Sequence, residues 1–444
     1  MSTLKNNLYI KIAVIIFLSI VLLIPAALIK GLIEERESTQ TEAFSEISSK
    51  WGGAQTISGP ILAIPFTKLM RIANTADSTT KVEQVKQYVY ILPKKLNYDG
   101  RILPEIRNRG IYDVAVYNST LTATGSFEPI NFSTLDVDTS KLQFDKAEVI
   151  LGIYDLRGID KQLSLQWNNT TLQFNAGVPS DDVVSSGVSA PVTIEKNDTA
   201  GYSFSFTLSL KGSQYMQFTP LGKTTDVAIQ SPWPNPSFSG SFLPDSKTVT
   251  DTSFSANWNI LHLNRKYPQT WVGNKYTIEE SAFGLNLLLP VDNYQKVLRC
   301  VKYAILFIAF TFLVFFFIEV LNKTFIHPVQ YLLVGLSLLI FFTLLLSLSE
   351  HTNFNAAYII AALATLTLIG GYVKAILHVK NLWLFVVGLL SILYTFIFVI
   401  MQLQDYALLI GSIGLFIILA VCMYFSRRID WYSLSMEETS TEQR

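Results

Sequence analysis

Four histidines, two cysteines and a scatter of carboxylates are the groups through which this 444-residue chain could do covalent or acid–base chemistry. A hydrolase needs a nucleophile beside a base, or a metal. The histidines are His262, His327, His351 and His378, and neither H-E-x-x-H nor G-x-S-x-G occurs. His262 continues the alternation Phe254, Ala256, Trp258, Ile260. That places it on the inner face of a strand, where a core histidine satisfied by a backbone carbonyl is favoured over a general base. Asp155, Arg157 and Asp160 surround Gly158, and an Asp–Arg pair bracing a turn accounts for them. Cys300 and Cys422 stand at opposite edges of an apolar block, so neither a disulfide framework nor a cysteine metal site is expected. The string P-L-G-K-T-T at Pro220 lacks the earlier glycine of a phosphate loop, Gln217 standing in its place. No catalytic residue, metal or cofactor is assigned.

Residues that bind rather than react are the next candidates. Gln230 opens Q-S-P-W-P-N-P-S-F-S-G. Proline has no N–H, so Pro232, Pro234 and Pro236 cannot lie in a central strand, and the segment should end a strand and shield a sheet edge. Trp233 and Phe238 then either present a recognition surface or plug the end of a sandwich, and the plug is favoured. Arg107 and Arg109, in a charged strip with Arg101 and Glu105, complete the candidate partner or ligand face, suited to a phosphorylated or carboxylated component. In the apolar regions, ionisable groups are costly and therefore informative. Glu319 precedes Lys323 by four residues, a favourable helical pair near a membrane boundary. Glu350 and His351 close the third apolar span, with Arg299 and Lys302 as candidate partners.

The elements that must position these groups are of two kinds. Half the residues are hydrophobic and only 15% are charged, with 34 basic against 34 acidic side chains, so no basic field exists to hold nucleic acid. A bilayer core needs about 20 apolar residues as helix. Six segments qualify: 10–29, 301–321, 329–349, 356–377, 382–401 and 406–425. The first is longer than the apolar core of a signal peptide and lacks a clean cleavage site, so an uncleaved signal-anchor is favoured. The last five, separated by short connectors, should form one bundle with the first docked on it. Ala357 and Ala361 offer small-xxx-small spacing for close packing. Lys5, Lys11, Lys323, Lys374, Lys380, Arg427 and Arg428 fall on one side, while the short connectors opposite carry no Lys or Arg. Both termini are therefore expected in the cytoplasm.

That places residues 30–300 outside the cytoplasm. Within them, Tyr202, Phe204, Phe206, Leu208 and Leu210 alternate with Ser and Thr, giving a strand with one wet face. Leu163, Leu165 and Trp167, then Asn168-Asn169, then Leu172 and Phe174 read as a hairpin. Further strands are expected over 87–92, 113–127, 147–154, 214–218, 225–230 and 254–263. The fold class is membrane α plus β: six transmembrane helices, one plus five, with an all-β, sandwich-like, extracytoplasmic domain inserted between helices 1 and 2. The domains are 1–29 (signal-anchor), 30–300 (β-rich, either one lobe or two with a seam near 178–200), 301–425 (five-helix bundle) and a polar tail, 426–444. Phe44, Ile47 and Trp51 at helical spacing suggest that the first helix continues beyond the bilayer and docks on the sheets.

Several stretches carry a resemblance. They are G-P-I-L-A-I-P-F at Gly59, L-P-E-I-R-N-R-G-I-Y at Leu103, Y-D-L-R-G-I at Tyr154 and F-T-P-L-G-K-T-T-D-V-A-I-Q-S-P-W-P-N-P-S-F-S-G at Phe218. They continue with L-H-L-N-R at Leu261, L-L-L-P-V-D-N-Y-Q-K at Leu287, E-V-L-N-K at Glu319, I-H-P-V-Q-Y at Ile326 and L-S-E-H at Leu348. In these the chain resembles the CreD inner-membrane proteins, associated with cell-envelope integrity. The resemblance implies a multi-pass protein of a bacterial inner membrane with a periplasmic excursion, and it implies no reaction. Two readings stand: a non-enzymatic envelope factor whose β domain binds an envelope component or a protein partner, and a transporter or lipid-handling protein that uses the bundle as a pathway.

Overall fold

The computed structural model describes residues 8–73, 80–130, 137–196, 199–287, 293–322, 324–376, 381–403 and 406–427. The chain divides into two compact units: residues 1–41 with 291–444, and residues 42–290. Helix α1, Leu8–Trp51, crosses that division without a break.

The first unit is helical. After α1 come α2 (Asn293–Lys302), α3 (Ala304–Asn322), α4 (Pro328–Ser349), α5 (Phe354–Ile376), α6 (Leu382–Gln402) and α7 (Ala407–Ser426). Five helical stretches are long and apolar enough to cross a membrane, α2 and α3 counting as one, and α7 carries a shorter apolar run. These correspond to the expected spans, the sixth by a shorter apolar run than expected, with one refinement: an amphipathic ten-residue helix, α2, precedes the second span and buries Tyr294, Val297 and Cys300. Helix α4 has a clear sequence reason to begin. His327 caps α4, its Nδ1 accepting from the Val329 N–H while Gln330 Oε1 accepts from the His327 N–H, and Pro328 sits where its missing N–H costs nothing. Ala357 and Ala361 are fully buried on α5, which packs closely along α4. Phe307, Phe341, Phe342, Tyr358 and Tyr394 fill the centre, and the Tyr358 hydroxyl donates to the Tyr394 carbonyl at 2.8 Å.

The second unit is a β-sandwich. Its strands are β1 Gln55–Ala73, β2 Thr80–Ile91, β3 Lys95–Arg109, β4 Tyr112–Phe127, β5 Ala147–Ile153, β6 Ser164–Trp167, β7 Thr170–Gln173, β8 Asn175–Ala176, β9 Gly187–Val192, β10 Tyr202–Ser213, β11 Tyr215–Phe218, β12 Thr224–Ser231, β13 Pro236–Gly240, β14 Ser246–Val249, β15 Phe254–Leu261, β16 Thr270–Val272 and β17 Phe283–Leu287. One sheet runs β13-β17-β11-β1-β5-β9-β8, with β2 added on β1 and β16 on β2; the other runs β14-β15-β12-β3-β4-β10-β6-β7. The two faces share one core, seen where Tyr98 meets Phe218 at 5.2 Å and Trp258 meets Phe283 at 5.7 Å. β10 and β11 lie in different sheets with only Gln214 between them, its φ of +62° turning the chain from one sheet to the other. The stretch 178–200 carries β9 within the first sheet, and Val183, Val184 and Val188 join the common core.

Two pairings depart from the antiparallel pattern expected of such strands. β1 with β11, and β3 with β12, are parallel. His262 also departs: β15 ends at Leu261, and His262 lies half-buried in a short turn, its Nδ1 at 3.3 Å from the Lys223 carbonyl oxygen. The expected carbonyl contact exists, but the residue has left the inner face because the strand stops before it.

Candidate functional site

The charged groups singled out in the sequence gather around α1 at three places. The first lies in the β unit. α1 ends at Trp51, and the Trp51 indole donates to the Tyr117 carbonyl at 3.3 Å while the Arg107 guanidinium stacks on its ring at 4.1 Å. Arg109, at the tip of β3, pairs with Glu46 at 3.0 Å. On the other side of the helix end stands the turn Y-D-L-R-G-I. Asp155 Oδ1 accepts from Arg157 Nε at 2.9 Å and from the Arg157 N–H at 3.1 Å, and its Oδ2 accepts from Arg157 Nη2 at 2.8 Å and from the Gly53 N–H at 2.8 Å. Arg157 Nη1 in turn donates to the Ser49 carbonyl at 2.8 Å, one of the carbonyls a helix C-terminus leaves without an internal partner. Arg157 therefore caps α1 from outside its own sequence. Gly158 must be glycine, because a Cβ there would meet the Lys211 carbonyl and the Gln55 amide. The hydrogen bonds from Arg157, then that from Gly53, hold the Asp155 carboxyl below the usual carboxylate range, and they outweigh its partial burial. Lys50 and Arg109 hold Glu46 lower as well.

The second place is in the helical unit, near the start of α1. Glu319 is buried, and its Oε1 accepts from Lys11 Nζ at 2.8 Å and from the Ile326 N–H at 3.1 Å; its Oε2 accepts from the Tyr331 hydroxyl at 3.2 Å. Helices α1, α3 and α4 thus meet on one carboxylate. The expected partner, Lys323, lies outside the described residues; the partner shown is Lys11, which a reading of i,i+4 neighbours does not find. The third place is the opposite end of the same unit. Glu350 accepts from the Tyr294 hydroxyl at 3.0 Å and faces Arg36 of α1 at 3.9 Å, and Asn293 donates to the Ser349 carbonyl at 2.8 Å. Arg36 takes the position expected of Arg299 or Lys302. His351 follows Glu350 in the turn and is exposed. Between the two carboxylates, Leu22 of α1 seats over Gly335 of α4, where any Cβ would strike it. Lys11 and Arg36 are 25 residues apart in one helix. That is about 37 Å, slightly more than a bilayer core.

Other sequence candidates have structural roles. Trp233 is only 9% exposed, and its indole donates to the Asn235 carbonyl at 3.1 Å. Phe238 packs edge-on against Phe254 and Trp258 at 6.0 and 5.8 Å. Neither offers a free aromatic face, because both rings are used to close the sandwich where the proline segment passes from β12 to the edge strand β13. Arg109 pairs with Glu46 of α1, and Arg107 divides its guanidinium between the Trp51 ring of α1 and Glu105 of its own strand at 3.1 Å. The P-L-G-K-T-T turn is held from below by Arg265, a buried guanidinium that sequence reasoning missed. It donates to the Leu221 and Pro268 carbonyls at 3.3 Å and also to the Tyr267 carbonyl and the Gln269 side chain, and burial pushes it down to about 10. Its place in L-H-L-N-R was the available signal. Among the described residues, no group of three or more His, Cys, Asp or Glu is placed to hold a metal ion.

The stretches that carried the sequence resemblance supply these clusters. Y-D-L-R-G-I and L-P-E-I-R-N-R-G-I-Y grip the end of α1; E-V-L-N-K and I-H-P-V-Q-Y build the Glu319 cluster; L-S-E-H and the D-N-Y-Q-K segment build the Glu350 cluster. Comparison with known proteins agrees. The family described as "Inner membrane protein CreD" matches residues 7–432. The inner membrane protein CreD of Escherichia coli (strain K12) is 34% identical over 437 residues, 98% of this chain and 96% of its own length. Among solved structures, an M1 zinc metallopeptidase from Deinococcus radiodurans aligns with 41% of this chain and 43% of its own at 12% identity, and its TM-score of 0.19 carries no argument. By its family match and by a relative of nearly equal length, the chain belongs to the CreD family of inner membrane proteins.

Proposed function

We propose that this inner membrane protein supports the cell envelope without catalysing a reaction, its β unit lying on the periplasmic side with both termini in the cytoplasm and engaging an envelope component or a protein partner. The observation that carries this reading is how the reactive-looking groups are used. Arg157, Arg107, Arg109, Glu319 and Glu350 all contact helix α1, and Asp155, which orients Arg157, has four donors on its two oxygens. The orientation is supported by the Lys and Arg bias of the short segments. Photocrosslinkers placed at exposed β-unit positions in intact cells should capture a discrete partner; uniform labelling no greater than that of a soluble periplasmic control would count against the reading.

A second reading has one observation in its favour. Between α3, α6 and α7 run two apolar grooves of about 210 and 350 Å³, lined by residues such as Phe310, Leu389 and Val421. Lipid handling would use such a groove for an acyl chain. Phe310→Trp, which narrows both, should leave an envelope phenotype intact under the first reading and reproduce loss of the protein under the second.

A further inference from the structure

The outer face of the second sheet is built differently from an ordinary solvated face. Solvent-facing surfaces usually carry a quarter or more of charged side chains. Along the middle of the central strands β4 and β10 the outward residues are instead Thr120, Thr122 and Thr124, and Ser205, Thr207 and Ser209, before Lys211 follows on the same side of β10. These short hydroxyls leave the sheet low in the middle, while longer side chains rise on both flanks. Two cavities result, of about 710 and 450 Å³, and Thr122 lines both. The strand register lines up the polar groups. Asn259, Asp226, Asn97, Thr124, Ser205 and Gln166 are paired in succession across β15, β12, β3, β4, β10 and β6. This row crosses five inter-strand gaps, about 24 Å at about 4.8 Å each. A second row, Asp99, Thr122 and Thr207, runs beside it.

We propose that this trough binds a linear glycan laid across the strands. A sugar chain presents hydroxyl donors and acceptors at a regular repeat, and the trough offers amides, hydroxyls and carboxylates at the strand spacing, each able to accept or donate. The chemistry excludes the other common occupants. Asp99, Asp226 and Asp245 line one end and Lys161 the other, so acidic groups outnumber basic ones along the two cavities and a phosphate-rich polymer is disfavoured at the acidic end. The side chains of Tyr98, Val227 and Trp258 are buried beneath the floor, so no large apolar side chain among them is open to a lipid or hydrophobic peptide. The strands are central to the sheet, so their backbone groups are already paired and a peptide cannot add as a strand. The proposal deepens the envelope reading by naming the class of component, and it concerns the other end of the strands from Arg107 and Arg109, which grip α1 on the same face of β3.

The test uses the full chain in lipid nanodiscs with cellohexaose, chitohexaose, glucose and hexalysine as probes, read by saturation-transfer NMR. Saturable binding of a hexasaccharide is expected, with glucose at least tenfold weaker because it spans one strand gap rather than five. Thr122→Phe and, separately, Ser205→Phe raise the floor and should weaken the hexasaccharide at least tenfold without moving the thermal midpoint. Absence of saturable glycan binding, or binding unchanged in both variants, would overturn the proposal. Preference for hexalysine would overturn it in favour of a basic peptide. Binding in nanodiscs does not depend on which side of the membrane the β unit occupies, so failure here removes the glycan and leaves the topology and any protein partner to the crosslinking experiment.

Discussion

Two carboxylates hold the same helix in opposite ways. Asp155, in the β unit, takes its main partner from two residues away, and Arg157 remains largely in water with 63% of its side chain exposed. Glu319, in the helical unit, takes Lys11 from 308 residues away and has only 4% of its own side chain exposed. Charge therefore stabilises the two settings by different means. Near water, an ion pair contributes little, and the Asp155 turn gains instead from hydrogen bonds that cap a helix end. In the apolar unit, a carboxylate is costly to bury and persists because three donors from three segments converge on it. Breaking either should have consequences of very different size.

The largest effect is expected at Glu319. Glu319→Ala leaves the Lys11 ammonium and the Tyr331 hydroxyl without their acceptor and should cost about 3 kcal/mol, the usual penalty for removing one partner of a buried pair. It should be seen as a lowered unfolding midpoint in detergent and as loosened crosslinking of α1 to the bundle. Next comes Gly158→Ala, which sets a methyl against the Lys211 carbonyl and should cost about 2 kcal/mol as an overpacked site.

Asp155→Asn should cost less, about 1 kcal/mol, because it keeps part of the hydrogen bonding while losing the charge. It also carries a pH signature. The folded Asp155 carboxyl is held low by Arg157, so its contribution is complete above the unfolded value of about 3.9 and is lost as pH falls through the folded one. Denaturation followed from about pH 6 down to about pH 3 should show this loss in the wild-type chain and not in Asp155→Asn. The smallest effect is Arg109→Ala. Its pair with Glu46 is exposed on both sides, so the midpoint should not move measurably, and a large drop would show that the two regions do not differ as described.

How far these arrangements were legible follows from the same contrast. Period-two alternation exposed β10 and the β6–β7 hairpin, because one face of each is wet. β1 stayed hidden: Pro60 and Pro65 interrupt it, and residues 57–66 are buried on both faces, so it reads as a plain apolar run. β3 stayed hidden behind Gly100 and Pro104, and both strands form the parallel pairings that a local pattern cannot signal. The continuation of α1 was readable from Phe44, Ile47 and Trp51. Its grips were not: Arg107 looks like a solvated strip until Trp51 is laid under it, and Glu319 points in sequence to Lys323, its nearest cation. Local spacing reveals helical neighbours, whereas a tertiary ion pair leaves no periodicity to read. The residues that hold α1, such as Arg107, Asp155, Arg157, Glu319, Tyr331 and Glu350, did lie inside the stretches that carried the family resemblance, but their α1 partners Lys11, Arg36, Glu46 and Trp51 lay outside them, and nothing signalled the grouping.

The claim on which the account depends is that Lys11 and Glu319 bind α1 to the bundle as a charge pair. A charge-reversal cycle tests it directly: Lys11→Glu, Glu319→Lys and both together, each scored by the unfolding midpoint of the full chain in nanodiscs. The account predicts that both single reversals destabilise strongly and that the double variant recovers at least half of the loss. Additive losses, with the double variant worse than either single, would contradict it.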